Sequence, residues 1–131
     1  MTALSVGLRG QMQAAVDERH AIGFLGDPGA RVLSTPALIM YLEMTSRDLV
    51  KPHLEPGHDT VGTHVDVRHL AATPLGMSAT YHSELIEING RRLRFRVEAY
   101  DEKEKIGEGF HERAIIDISR FAGRVQSKRK E

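Results

Sequence analysis

The sequence predicts an α+β domain in which an antiparallel sheet wraps around one buried helix and two copies pair. Three observations predict it. Ser34 to Val50 is the only long helical run in a chain that otherwise reads as strands and turns. From Ala37 to Leu42 every residue is apolar or aromatic, so no face of that segment asks for water, which is the mark of a buried helix. After it come long stretches of period-two alternation separated by turn formers. Such a sheet leaves open edges, and pairing two copies edge to edge is a common remedy.

Taken in order, Val6 to about Ile22 reads as one strand, with alternation around Met12, Ala14 and Val16. Gly23 to Gly29 is rich in turn formers and is expected to be a mobile loop lying over the next segment of chain. Ser34 or Thr35 can cap the helix, and Pro36 sits where a missing N–H costs nothing. Pro52 and the loop at Gly57 stop it. Val61, Thr63, Val65, Val67 and His69 then alternate with Gly62, His64, Asp66 and Arg68 as a strand. A turn at Thr73-Pro74-Leu75-Gly76 leads into Met77 to Ile88, and Asn89-Gly90 is a strong hairpin signal. Arg91 to Tyr100 returns with Leu93, Phe95, Val97 and Ala99 on one face and Arg92, Arg94, Arg96 and Glu98 on the other. Asp101 to Lys105 is a charged turn, and Ile106 to Ile118 is the last strand, with Gly107 and Gly109 weakening its start or marking a bulge.

Residues 1–131 are most simply one domain, long enough for a real core. The formal net charge is zero, so nothing global points to nucleic acid or an acidic membrane. Only Lys128-Arg129-Lys130, with Arg124 before it, is locally basic and reads as a frayed, solvated terminus. There is no apolar run of membrane-spanning length and no signal peptide at the start. Cysteine is absent, which removes disulfides and thiol catalysis and fits a cytoplasmic chain.

Three residues invite a chemical reading, each with a plainer one beside it. His69 is in phase with the valines of its strand and points to the apolar side, where a histidine is more often a hydrogen-bonded core group than a catalyst. Glu43 ends the apolar run of the helix, yet it can simply begin a solvated face and pair with Arg47 at i+4. Thr35 can be a helix cap and nothing more. The seven histidines predict no metal site: His64 and His69 are five apart on a strand and face opposite sides, and His53 and His58 lie in a loop. Gly23, Gly26 and Gly29 lack the strand before them and the Gly-Lys-Ser/Thr ending of a phosphate loop, so no nucleotide cofactor is predicted.

Thr35 with Glu43 eight later, Leu54-Glu55-Pro56-Gly57, Gly62, His69-Leu70-Ala71-Ala72-Thr73-Pro74 and His111-Glu112-Arg113-Ala114 together resemble the fluoroacetyl-CoA thioesterase family. The resemblance runs from about Val32 to Val125, and Ala71 to Pro74 and His111 to Arg113 are its most specific parts. It implies a hotdog fold paired as a homodimer or a dimer of dimers, and hydrolysis of a small or medium acyl-CoA thioester. It also implies a catalytic Thr35, Glu43 and His69, with Gly62, His69 and Arg113 binding substrate. One stretch departs from the pattern. The family's fluoroacetyl-selective enzyme has phenylalanines in the lid before the helix, where this chain has Gly26-Asp27-Pro28-Gly29-Ala30 and only Phe24 nearby. The acyl group is therefore left open. Two other readings of the same fold are a hydratase or dehydratase, whose motif is missing, and a non-catalytic acyl-CoA-binding protein.

The implied chemistry needs a nucleophile, oxyanion stabilisation and a proton for the leaving thiolate. Glu43, in apolar surroundings, is expected to gain basicity by desolvation and to act on water or on the carbonyl. Thr35 can donate to the carbonyl or attack it with His69 as base. N–H groups at the helix start or at Gly62 are the expected oxyanion donors. Arg113, out of phase with Ile106, Phe110 and Ala114, is expected to face outward toward a CoA phosphate or carboxylate. On one straight helix Thr35 and Glu43 lie about 12 Å apart. Contact then requires Thr35 to fold back from a loop, or the two to come from different subunits.

Overall fold

A computed structural model describes residues 3–130. Its strands are β1 (Arg9–Ala15), β2 (His58–His69), β3 (Ser78–Asn89), β4 (Arg92–Asp101) and β5 (Lys105–Asp117), and its helices are α1 (Thr35–Val50) and α2 (Ile118–Ser127). The strands form one sheet in the order β1-β3-β4-β5-β2, every pair antiparallel. The chain segment containing α1 joins β1 to β2, the two edges, so the helix must cross the inner face. This is the wrapped helix that the alternation pattern implies.

Local chemistry sets the ends of α1. Ser34 Oγ accepts the Ala37 N–H at 3.2 Å, and Pro36 occupies the first turn. The cap is thus Ser34, which leaves the Thr35 hydroxyl unused by the helix. Ala37, Leu38, Tyr41, Leu42 and Val50 are buried against Tyr81, Leu85, Leu93, Phe95 and Val97 of β3 and β4. Each large side chain so buried contributes about 1.5–3 kcal/mol. The helix is not buried all round, as its composition suggests. Ile39, Met40 and Glu43 are half-buried and Met44 is 42% exposed, which gives α1 one open side.

The hairpin falls where Asn89-Gly90 places it: Asn89 pairs with Arg92, and Gly90 takes φ +62°, which glycine adopts without strain. β4 alternates as expected, with Leu93, Phe95, Val97 and Ala99 buried. Three further sequence expectations fail. The first strand is shorter than Val6 to Ile22, because Asp17 caps a turn at Glu18–His20 that breaks it. The register of β2 shifts between Gly62 and His64. Thr60 and Gly62 therefore share the inner face with Val67 and His69, while Val61 turns away. Finally, Arg124 is not in a frayed terminus. Asp117 Oδ1 accepts the Arg120 N–H at 3.1 Å and starts α2, which runs through Arg124 to Ser127.

The Gly26 N–H donates to the Gly23 carbonyl at 3.3 Å to close a first turn, and a second follows at Pro28–Ala30, in which Asp27 Oδ1 accepts the Gly29 N–H at 2.8 Å. Arg31 ties this segment down by donating to the carbonyls of Ala21 and Ile22, both at 3.3 Å, and to the Glu18 carboxylate. Phe24 projects from it, 81% exposed. No helix among the described residues is long and apolar enough to cross a membrane.

Candidate active site

Two polar clusters lie along α1, one at its N-terminus and one at Glu43. At the N-terminus the Thr35 hydroxyl, free because Ser34 does the capping, meets His69 Nδ1 at 2.8 Å. Its partner comes from the end of β2, where the shifted register points the imidazole inward. Burial pushes His69 below the usual histidine range, opposed by the Ala71 backbone. Its Nε2 is buried and makes no hydrogen bond among the described residues. The Thr35 N–H, in the first turn of the helix, likewise has no acceptor among the described residues. A hydroxyl and an imidazole thus meet at the N-terminus of a helix, beside an exposed Thr35 backbone.

The second cluster centres on Glu43. Gly62 of β2 faces Arg113 of β5 across the sheet, and the missing side chain makes the room that the carboxylate occupies. A Cβ on Gly62 would collide with Glu43 Oε1 and press on Arg113 Nη1 at 3.4 Å. Arg113 is 7% exposed and turns inward, contrary to the outward expectation. It shares the inner face with Gly107, Gly109 and His111, which pair with buried Ala99, Val97 and Phe95, and Ile106 is a false guide to the phase. Arg113 Nε donates to Thr60 Oγ1 at 2.7 Å, Nη2 to the Thr60 carbonyl at 2.9 Å and Nη1 to Glu43 Oε1 at 3.4 Å. An arginine so placed holds a protein carboxylate instead of facing outward.

Glu43 is therefore not in apolar surroundings. Its side chain is 38% exposed on the open side of α1, with a guanidinium behind it. Arg47 does not pair with it either: Nε and Nη2 of Arg47 bind Asp59 at 3.1 and 2.6 Å, and this pulls the Asp59 carboxyl down to about 2. The plain i+4 reading of Glu43 is thereby removed. His111 belongs to this cluster as well. It is 1% exposed, with Nε2 at 3.2 Å from Arg113 Nη1 and 3.8 Å from Glu43 Oε1. Sequence reasoning counted it in a motif and gave it no role, although its alternation with Arg113 and Gly109 was there to be used.

The structure brings Thr35 to His69, and Glu43 to Gly62 and Arg113, but it does not join the two groups. Thr35 is the first residue of a continuous helix, so it cannot fold back to Glu43, which lies about 12 Å further along. Among the described residues no group of three or more metal-ligating side chains is arranged to hold an ion.

A five-stranded antiparallel sheet wrapped around one helix, with paired polar clusters on the helix's open side, defines a hotdog-fold protein. The chain belongs to the fluoroacetyl-CoA-specific thioesterase family, whose model matches residues 16–119. The fluoroacetyl-CoA thioesterase of Streptantibioticus cattleyicolor is 40% identical over 97 residues, 74% of this chain and 70% of that protein. The solved fluoroacetyl-CoA thioesterase FlK superposes with a TM-score of 0.88 at 34% identity, covering 97% of this chain and 98% of that one. Threonine variants of FlK have been solved with fluoroacetate and with acetyl-CoA. A Thermus thermophilus hypothetical protein, a thioesterase superfamily member, superposes with a TM-score of 0.89 at 27% identity over 99% of this chain and 96% of that one.

Proposed function

We propose that this chain is an acyl-CoA thioesterase that works as a homodimer, with Thr35 and His69 of one protomer facing Glu43 of its partner. The observation that carries the reading is the Thr35–His69 hydrogen bond of 2.8 Å, made by a hydroxyl that the helix does not need. Family membership and the complexes of FlK with acetyl-CoA and fluoroacetate support the substrate class.

Thr35 is the candidate nucleophile already bonded to a base. Its Oγ1 attacks the thioester carbon as His69 Nδ1 takes the hydroxyl proton. The developing oxyanion accepts from the Thr35 N–H, at the positive end of α1. The C–S bond breaks, and the imidazolium returns its proton to the thiolate. Water then attacks the acyl-Thr35 ester while the Glu43 carboxylate takes its proton. That proton passes to Thr35 Oγ1 as the acid leaves. Arg113 fixes the carboxylate, and Gly62 leaves it space. The acyl group is small or medium, and Gly26 to Ala30 carry none of the aromatic residues through which the family's lid selects for fluorine.

The test is release of free thiol from a panel of acyl-CoA esters varied in chain length and substituent. Turnover that falls in both Glu43→Gln and His69→Ala, with acyl label on Thr35 in a quenched single turnover, supports the reading. Unchanged turnover in both variants would sink the site assignment. Formation of an enoyl chromophore from a hydroxyacyl-CoA would instead mark a hydratase, and binding without turnover an acyl-CoA sensor.

A further inference from the structure

We propose that His111 is a positioning residue: as a neutral ring it accepts a hydrogen bond from Arg113 at Nε2 and so sets where the guanidinium meets Glu43. This rests on Glu43 being the reacting carboxylate. The donor and acceptor roles follow from the chemistry of the neighbours. His111 Nδ1 lies 2.8 Å from the His64 carbonyl oxygen, which can only accept, so Nδ1 carries the proton. His111 Nε2 lies 3.2 Å from Arg113 Nη1, which can only donate, so Nε2 must be bare. One tautomer satisfies both contacts, and the imidazolium satisfies only the first.

The site is built rather than incidental. His111 stacks on Phe95 with ring centroids 6.0 Å apart, and its ring is sealed from solvent. Thr60 holds Arg113 by Nε and Nη2, so Nη1 is the nitrogen that meets Glu43, and it is shared between Glu43 Oε1 and His111 Nε2. Without the acceptor at Nε2 a buried Nη1–H loses a partner, and the guanidinium and carboxylate must re-aim. The charged and titratable groups facing His111 are Arg113 on its own strand, Glu43 on α1 and His64 on β2, and from β4 the neighbour is Phe95. Burial and the nearby cation favour the uncharged ring, opposed by the bond to the His64 carbonyl and then by the Glu43 charge.

Two variants and one spectrum test this. In His111→Gln the side-chain oxygen can replace Nε2 as acceptor, and in His111→Leu a side chain of comparable bulk cannot. We expect kcat of His111→Leu to fall about tenfold to a hundredfold with KM little changed, while His111→Gln stays within about threefold of the parent. A packing role predicts the opposite order, because leucine suits an apolar pocket better than glutamine; that order overturns the proposal. Ring nitrogen NMR of the unmodified protein gives an answer that needs no turnover and no mutant fold. Protonated Nδ1 and bare Nε2 at neutral pH support the inference, and a protonated Nε2 overturns it. Loss of activity in Glu43→Gln with none in His111→Leu overturns this inference alone, whereas a parent inert toward every thioester overturns the functional reading and leaves the spectrum to decide on His111.

Discussion

The N-terminus of α1 and the region around Glu43 solve opposite problems on one helix. At the first, a hydroxyl and an imidazole meet with no charged partner, and burial favours the neutral ring. At the second, a carboxylate is kept in place by a buried arginine that is itself held by Thr60 and His111. The first is an uncharged hydrogen-bonded pair and the second a charged cluster with several partners. Neither alone supplies nucleophile, base and carboxylate. The helix holds them about 12 Å apart in a single chain, so the proposed site needs a second copy to bring one of each together.

The comparison can be broken at either end. The largest effects fall on the reacting groups: Thr35→Ala and Glu43→Gln should each lower kcat by about 10²–10⁴-fold, while Thr35→Ser, which keeps the hydroxyl, loses far less. Steady-state kinetics with one acyl-CoA ester read both. Next comes Gly62→Ala, whose Cβ collides with Glu43 Oε1 and should cost about tenfold to a hundredfold in kcat as the carboxylate moves. A Gly62→Ala enzyme with parental kcat would mean that Glu43 need not sit where it does.

Acid should weaken the fold in two steps, the first touching both regions. His69 and His111 both have folded values below the ordinary 6.5, so the unfolded chain takes up protons first. Their contribution to stability is whole above about pH 6.5 and is lost as pH falls from there toward the lowered folded values. Asp59, pulled from 3.8 to about 2, contributes above 3.8 and loses that contribution between there and about 2. Tm measured against pH should decline below about 6.5 and again below about 4, and a flat profile between pH 5 and 7 would contradict the buried neutral rings. The smallest effect is that of Arg47→Met, which removes the partly exposed Asp59 pair. It should cost at most about 1 kcal/mol in stability and leave kcat unchanged.

How much was legible in the sequence depended on whether a strand kept its period. β4 did, and its four inner residues were read correctly from alternation alone. β2 did not, because one shift between Gly62 and His64 moves the inner face from even to odd positions. His69 was placed inward correctly, but with Val61 as a false companion. The same kind of slip, anchored on Ile106, turned Arg113 outward and hid its hold on Glu43. The helix and its start were readable from Ser34, Thr35 and Pro36. Which of the two hydroxyls caps was not, and that choice frees Thr35. α2 was missed although Asp117 and then Ile118, Phe121, Ala122 and Val125 follow cap and helix spacing, because its basic polar face read as a charged tail. The motif match supplied what periodicity could not: the proposal that Thr35, Glu43 and His69 belong to one reaction.

Whether two chains share that reaction is tested most directly by complementation. Thr35→Ala and Glu43→Gln chains, each inactive alone, are co-expressed with different tags and the mixed dimer is purified. A shared site predicts about half of the parent activity in that dimer, since one of its two sites then has intact Thr35, His69 and Glu43. A mixed dimer as inactive as its parents, or no mixed dimer at all, would contradict the shared site.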